Sequence, residues 1–320
     1  VIHEMSRLPV AVIGCGYLGK FHAQKYAGHP EAALAAVVDT DSGRAQAVAA
    51  ETGSSPLSDY RDLFGRVRAA SVVVPTPLHY AIAKDLLQHD IHLLLEKPMT
   101  TTLAEARELN ALARERNLVL QIGHLERFNP AYLAVADTVK NPLFIESHRL
   151  NSFQERGTEV DVILDIMIHD IDLILNLVDD EVKSIHAVGI PVISSMIDIA
   201  NARLEFERGC VVNVTASRIS DKAMRKIRIF QPDAYISIDF AAQGVSLYRK
   251  IEEEGRIPYI VSEKLAIEHG DSLQQEIKAF LAAVRQRSAP PVSGEAGMRA
   301  LKVALEITEQ IQNTTRRLVE

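Results

Sequence analysis

Along residues 1–122, short unbroken apolar runs alternate with longer stretches whose apolar positions recur at helical spacing. The runs 9–13, 34–38, 70–74, 91–95 and 118–122 hold almost no polar side chains, as strands covered on both faces require. Between them, 45–52, 80–89 and 103–115 read as helices, and Thr102 with Glu105 forms a capping box that opens the last. Strand and helix in alternation predict a parallel sheet with crossover helices.

After Gly123 the rhythm changes. Residues 161–178 keep a helical period, and then 184–192, 202–206, 211–216, 226–230, 235–239 and 245–248 read as short strands, which predicts a mainly antiparallel sheet. Two helices, 273–287 and 294–312, close the chain on either side of the breaker Ala289-Pro290-Pro291. The expected division is an α/β nucleotide-binding domain over 1–122 and a sheet-based second domain over 123–320. The basic run 218–228 is expected to alternate outward along an edge or an exposed face.

The 320 residues carry 35 basic and 42 acidic side chains, a net charge of −7. That excludes nucleic-acid binding that rests on phosphate neutralisation by a basic domain. No apolar run reaches the ~20 residues a bilayer requires. Residues 1–5 contain His3 and Glu4 and lack the apolar core of a secretory signal, with Met5 the expected natural start. Cys15 and Cys210 stand outside any CxxC or Cys/His cluster, so neither a disulfide framework nor a zinc site is expected, and a cytoplasmic location is.

Candidate chemistry begins at Gly14-Cys15-Gly16-Tyr17-Leu18-Gly19, directly after the first strand and at the start of a helix. In that context the first glycine makes the tight turn, the second admits a pyrophosphate to the backbone and the third lets helix and strand pack closely. The helix start offers N–H groups and the positive dipole end to the phosphates. Asp39 ends the second strand, placed to accept hydrogen bonds from an adenosine ribose, which favours NAD over NADP; nearby Arg44 partly offsets its charge. Cys15 reads as a small filler of the turn rather than a reactive thiol. Pro75-Thr76-Pro77 with His79 makes a stiff turn at the carboxyl edge of the sheet, expected to wall the cofactor.

Glu96-Lys97-Pro98 follows the 91–95 strand at the same edge, with Glu96 and Lys97 expected at the cofactor, where a lysine can also hold a substrate hydroxyl or assist proton movement. Asp165 and His169 are spaced i, i+4, with Asp161 one turn earlier. An acid beside an imidazole raises its basicity and orients it, which suits a proton acceptor for an alcohol. No third metal ligand accompanies them, so no metal is expected.

The glycine loop with His22 after it, the Pro75-Thr76-Pro77-x-His79 turn, Glu96-Lys97-Pro98 and Asp165-x-x-x-His169 together resemble the Gfo/Idh/MocA oxidoreductases over essentially the whole chain. The resemblance implies a Rossmann domain, a C-terminal α/β domain with an open, largely antiparallel sheet, and dimers or tetramers packed through that sheet. It also implies Lys97 and His169 at the reacting hydroxyl, Asp165 as their partner, and a cis peptide before Pro98. Gly123-His124-Leu125-Glu126-Arg127-Phe128-Asn129-Pro130, Glu146-x-His148-Arg149, Arg156 and the start of the Asp165 helix resemble the branch that oxidises C3 of UDP-N-acetylglucosamine, passing the 3-keto sugar to an aminotransferase for lipid A. Arg127, Arg149 and Arg156 then become candidate diphosphate donors, with Asn129 beside them. An inositol-type or other sugar dehydrogenase of the family, and a non-catalytic NAD-binding sensor, stay open as alternatives, as does the choice between Lys97 and His169 as principal base.

Overall fold

The computed structural model describes residues 7–153, 160–253 and 256–319, with side chains in the last helix described as far as Thr314. Residues 1–5 and Arg156 lie outside this set. The chain divides into two compact units, 1–125 with 271–298, and 126–270 with 299–320.

The first unit is built on β1 (Leu8–Ile13), α1 (Tyr17–Gly28), β2 (Ala32–Val38), α2 (Ser42–Thr52), β3 (Ser55–Leu57), β4 (Ala69–Val72), α3 (His79–Gln88), β5 (His92–Glu96), α4 (Leu103–Glu115) and β6 (Leu120–Gly123). Its six strands are parallel in the order β3-β2-β1-β4-β5-β6, so the crossover reverses between β1 and β4. Ligands of such sheets bind at this switch point, beyond the carboxyl ends of the strands. Local signals agree with the pattern: the Thr102/Glu105 capping box is formed, and Asp41 caps α2 by accepting from the Arg44 amide.

The second unit begins with the short helix α5 (Pro130–Leu133), strand β7 (Phe144–Leu150) and helix α6 (Ile168–Val178). It continues through β8 (Val182–Ile190), β9 (Ile199–Phe206), β10 (Val211–Ser217), β11 (Met224–Gln231), β12 (Ala234–Asp239), β13 (Gly244–Ile251) and β14 (Tyr259–Leu265). The eight strands run in the order β14-β13-β12-β11-β7-β10-β9-β8, antiparallel except where β7 lies parallel to β10. One face packs on α6 and the last helix, burying Ile145, Val212, Val214, Ile227, Ile229 and Ile236. On the other face Phe144, Phe230, Tyr235 and Tyr248 stack across four strands. The basic run lies on β11 and the turn before it; β11 is an interior strand whose Lys226 and Arg228 alternate with buried Ile227 and Ile229 and so point to the less buried face, whereas Arg218 is itself buried beside Asp198.

The division at Gly123 needs one correction. Helix α7 (Ser272–Gln286) and the first residues of α8 (Gly294–Val319) belong to the nucleotide-binding unit. The reason is apolar: Leu273, Ile277, Phe280, Leu281 and Val284 of α7 share one core with Val10, Val12, Tyr26 and Leu94.

At the amino edge of the first sheet, a cavity of about 1150 Å³ is lined by Arg68, Arg114, Arg116, Arg285 and Arg287 beside His92. Burial, then the Arg68 and Arg287 charges, push His92 down to about 4 from 6.5, and its Nδ1 accepts from the Val119 amide at 2.9 Å. Below pH 6.5 the unfolded chain takes up a proton that the folded chain refuses until about pH 4. This contribution is therefore complete above pH 6.5 and is lost as pH falls toward 4, by at most about 3 kcal/mol. Thermal melts of the parent and His92→Gln, which accepts the same bond without titrating, should show a shallower acid limb in the variant. Identical limbs would remove His92 from the acid response.

Candidate active site

The glycine loop is shaped by contact. Gly14 has φ +95°, and a Cβ there would lie 2.1 Å from the Val73 carbonyl oxygen. A Cβ on Gly19 would lie 1.8 Å from the Gly14 carbonyl oxygen, so helix α1 seats directly on the turn. Gly16 is different, since a Cβ there meets nothing within 4 Å. Its bare backbone opens the first turn of α1, and no side chain caps that helix start. These are the features a pyrophosphate needs: an open approach and N–H groups without a competing acceptor.

Asp39 ties this loop to the end of β2. Its Oδ2 accepts from the Cys15 amide at 2.8 Å, and its Oδ1 accepts from the Asp41 amide at 2.8 Å and from Arg44 at 3.1 Å. The carboxylate thus stands beside the loop where an adenosine ribose would lie, with Arg44 over it. Cys15 is a buried filler: its Sγ donates to the Val38 carbonyl, and burial pushes its thiol up to about 11, away from reactivity. Tyr17 is exposed at the helix start and Leu18 packs on the apolar core. The donor set fits a dinucleotide: Gly14, Gly16 and Gly19 for the backbone cradle, and Asp39 with Arg44 for the ribose.

Pro75 is exposed and Thr76 half-buried in the turn after β4, both available at the cofactor edge. His79 and Glu96, expected to touch the cofactor, are instead turned inward. His79 is 1% exposed, its ring nitrogens 2.9 Å from the Pro98 carbonyl and 2.8 Å from the Val74 carbonyl. A neutral ring donates to one of these at a time, and burial holds it below its ordinary range. The histidine is a strut between the Val74 carbonyl and the carbonyl of Pro98, and the Lys97-Pro98 peptide before it is cis as the family resemblance implies. Glu96 is buried beneath Gly123 and lies 3.3 Å from His22. Lys97 alone in 91–100 keeps partial exposure.

In the second unit, the segment before α6 is not the plain α-helix its period suggests. Ile163–Met167 winds as a π turn, which leads into α6. Over 161–172 every side chain is buried except Leu164, Asp165 and His169, which are half-exposed. Asp165 and His169 thus share the open side of an otherwise sealed helix, and π turns recur at functional sites because they push one residue out of the regular winding. Asp161 is turned away from them and accepts from the Ile197 amide at 3.0 Å.

The arginines expected to grip a diphosphate are engaged inside their own unit. Arg127 meets Asp172 with two bonds of 2.7 and 3.0 Å. Arg149, 4% exposed, bonds Asp170 at 2.8 Å through Nε and Glu126 at 2.7 Å through Nη1. Asn129 caps α5 and donates to Glu126 and Phe240. The physical reason is burial: a guanidinium removed from water needs carboxylates beside it. Arg149→Met should therefore leave buried Asp170 and half-buried Glu126 without their cation and lower folding stability by about 3 to 5 kcal/mol. Chemical denaturation checks this; a variant of parental stability with only a weakened substrate KM would restore the ligand role.

Sequence reasoning missed Glu276. It sits on α7 between Leu273 and Ile277, inside the stripe 273, 277, 280, 281, 284, and it is fully buried. An acid at a core position of an amphipathic helix was the available signal.

Comparison with known proteins matches residues 8–124 to the Gfo/Idh/MocA oxidoreductase family model, NAD-binding Rossmann fold, and 138–236 to the Gfo/Idh/MocA C-terminal domain. The chain is 38% identical over 311 residues to a UDP-N-acetylglucosamine 3-dehydrogenase of Acidithiobacillus ferrooxidans, covering 96% of this chain and 98% of that protein. A solved structure of the enzyme of that name from the same organism superposes with a TM-score of 0.90 at 36% identity, covering 97% of this chain and 99% of the other. A myo-inositol 2-dehydrogenase of Thermotoga maritima is 25% identical over 315 residues, 91% of this chain and 92% of its own.

Proposed function

The chain belongs to the Gfo/Idh/MocA oxidoreductase family, and from that premise we propose that it oxidises the C3 hydroxyl of UDP-N-acetylglucosamine to the 3-keto sugar with NAD. It is an NAD-binding oxidoreductase acting on a CH–OH group. The observation that carries the substrate is the full-length likeness to an enzyme of that name.

Oxidation removes a hydride from carbon and a proton from oxygen. The bound nicotinamide supplies the hydride acceptor. In this reading His169 accepts the hydroxyl proton, Asp165 orients the imidazole, and Lys97 donates to the oxygen as charge develops on it. The half-exposed Asp165/His169 pair on a sealed helix and the half-exposed Lys97 at a strand end support these roles. Gly14, Gly16, Gly19, Asp39 and Arg44 hold the dinucleotide, with Pro75 and Thr76 alongside.

A 3-keto sugar is the substrate class of an aminotransferase, which is the proposed downstream partner, with the amino sugar directed to lipid A. A second copy of the chain is the other proposed partner. The stacked aromatics on the sheet, and an edge strand β14 that exposes Tyr259, Ile260 and Val261, support it. No described helix is long and apolar enough to cross a membrane, and the proposed location is cytoplasmic.

One observation favours a second reading. The engagement of Arg127 and Arg149 with carboxylates removes two expected diphosphate donors, which suits a free polyol or sugar. The test is reduction of NAD by a panel of UDP-sugars, free sugars and inositols, with the aminotransferase or a ketone trap present. Turnover with UDP-N-acetylglucosamine alone supports the first reading; turnover with polyols alone replaces it, and binding of NAD without turnover across the panel points to a sensor.

A further inference from the structure

Behind the Lys97 strand end, the first unit buries a polar cluster that the reaction itself does not use. A ring nitrogen of His22, a Glu96 carboxylate oxygen and a Glu276 carboxylate oxygen lie within 4.8 Å of one another. Glu276 is 0% exposed, and neither of its oxygens has a hydrogen-bond partner among the described residues. Around the cluster stand His22 and Tyr26 from α1, Ser71 from β4, Glu96 from β5 and Gln121 from β6, which donates to the Glu276 backbone carbonyl. None of these brings a permanent positive charge.

Two carboxylates this close and this dry cannot both stay ionised without a cation. Desolvation, then the Glu96 charge, push Glu276 well above its usual range. His22 Nε2 faces Glu96 at 3.3 Å but makes no hydrogen bond among the described residues, while its Nδ1 lies 3.1 Å from the Ser71 hydroxyl, which in turn lies 2.8 Å from the Tyr26 hydroxyl. Glu96 thus receives no hydrogen bond from His22 and stands beside the unpartnered oxygens of Glu276. Its carboxylate also has a purpose-made space, since a Cβ on Gly123 would come within 2.7 Å of it. Its Oε2 accepts from the Lys97 amide at 3.3 Å.

We propose that Glu276 and Glu96 share one proton, carried by Glu276 as an un-ionised acid, and that this buried pair positions Lys97 at the end of β5. Glu276 is a positioning residue: it acts through Glu96 and the Lys97 backbone. A divalent ion is the other chemistry that could neutralise the pair, but a closed structural site takes four donors and the cluster offers three. A proton needs only two facing oxygens.

Infrared spectra of the purified protein at pH 8 should show the carbonyl stretch of an un-ionised carboxyl, absent in Glu276→Gln. Should that variant fail to fold, carbon NMR of the unmutated protein with carboxyl-labelled glutamate reads the same state. Ionised carboxylates throughout at pH 8, or a stoichiometric divalent metal found by elemental analysis, would overturn the proposal. The positioning role rests on the dehydrogenase reading and is tested separately, so a protein inert toward sugars still answers the first question. Glu276→Ala should lower kcat by about tenfold with little change in KM for NAD. Glu276→Gln should recover most of the loss, because an amide donates where the acid does. Recovery by Glu276→Met to the same extent would show that only volume matters and would sink the positioning role.

Discussion

Lys97→Met is expected to lower kcat by about 10³-fold or more while leaving NAD affinity within about twofold. The substitution keeps an unbranched apolar stem of similar length and removes only the ammonium. The neighbouring positions in 91–100 are buried, so the stem stays packed and the backbone at the cis Lys97-Pro98 peptide is undisturbed. What disappears is the donor to the substrate oxygen as negative charge develops there, a loss of about 4 kcal/mol of barrier reduction. Steady-state turnover with UDP-N-acetylglucosamine and calorimetric titration of NAD separate the two quantities. Normal turnover in the variant would remove Lys97 from the chemistry, and a collapse of NAD affinity would reassign it to the cofactor.

Alanine in the glycine loop should split by position. Gly14→Ala forces a left-handed backbone on a side chain and drives its Cβ to 2.1 Å from the Val73 carbonyl, both against backbone that cannot yield cheaply. A stability loss on the order of 3 kcal/mol, with NAD binding abolished, is the expected result. Gly16→Ala meets nothing within 4 Å in the protein, so its melting temperature should match the parent. Its methyl would instead occupy the approach of the pyrophosphate, raising the NAD dissociation constant by at least about tenfold. Equal loss of stability at both positions would show that Gly16 serves the fold rather than the cofactor.

The contrast between Gly14 and Gly16 shows what a pattern can and cannot say. Spacing after a strand marks all three glycines as one motif. Only the placement of Val73 and Gly14 atoms separates those that let the turn form from the one that leaves room for a ligand. The histidines divide in the same way: the pattern marks His79 and His169 equally, and packing makes one a buried strut and leaves the other on an open face.

Much was legible along the chain because local physics writes it there. Two-face burial makes the parallel strands continuous apolar runs, strand ends carry the chemistry of such sheets, and the capping box at Thr102 needs only its own neighbours. The joint order of glycine loop, Glu96-Lys97-Pro98 and Asp165-x-x-x-His169 was enough to identify the family and to nominate the reacting groups. Strands β3, β7 and β14 were not legible as strands: β3 is three residues long, β7 alternates polar and apolar side chains around its charged residues, and β14 is exposed almost throughout.

What the chain pattern left open were questions of partner. An arginine looks the same in sequence whether it faces a diphosphate or Asp170, and Arg149 is decided by residue 170 lying against it after the sheet forms. The apolar stripe of α7 marks Glu276 as facing inward, but which group it meets is decided only when that helix, from the far end of the chain, packs on the first sheet and sets it beside Glu96. Burial periodicity is a property of each segment alone, whereas the charge state of a buried carboxyl depends on which distant groups share its low-dielectric surroundings, and only long-range packing brings those together.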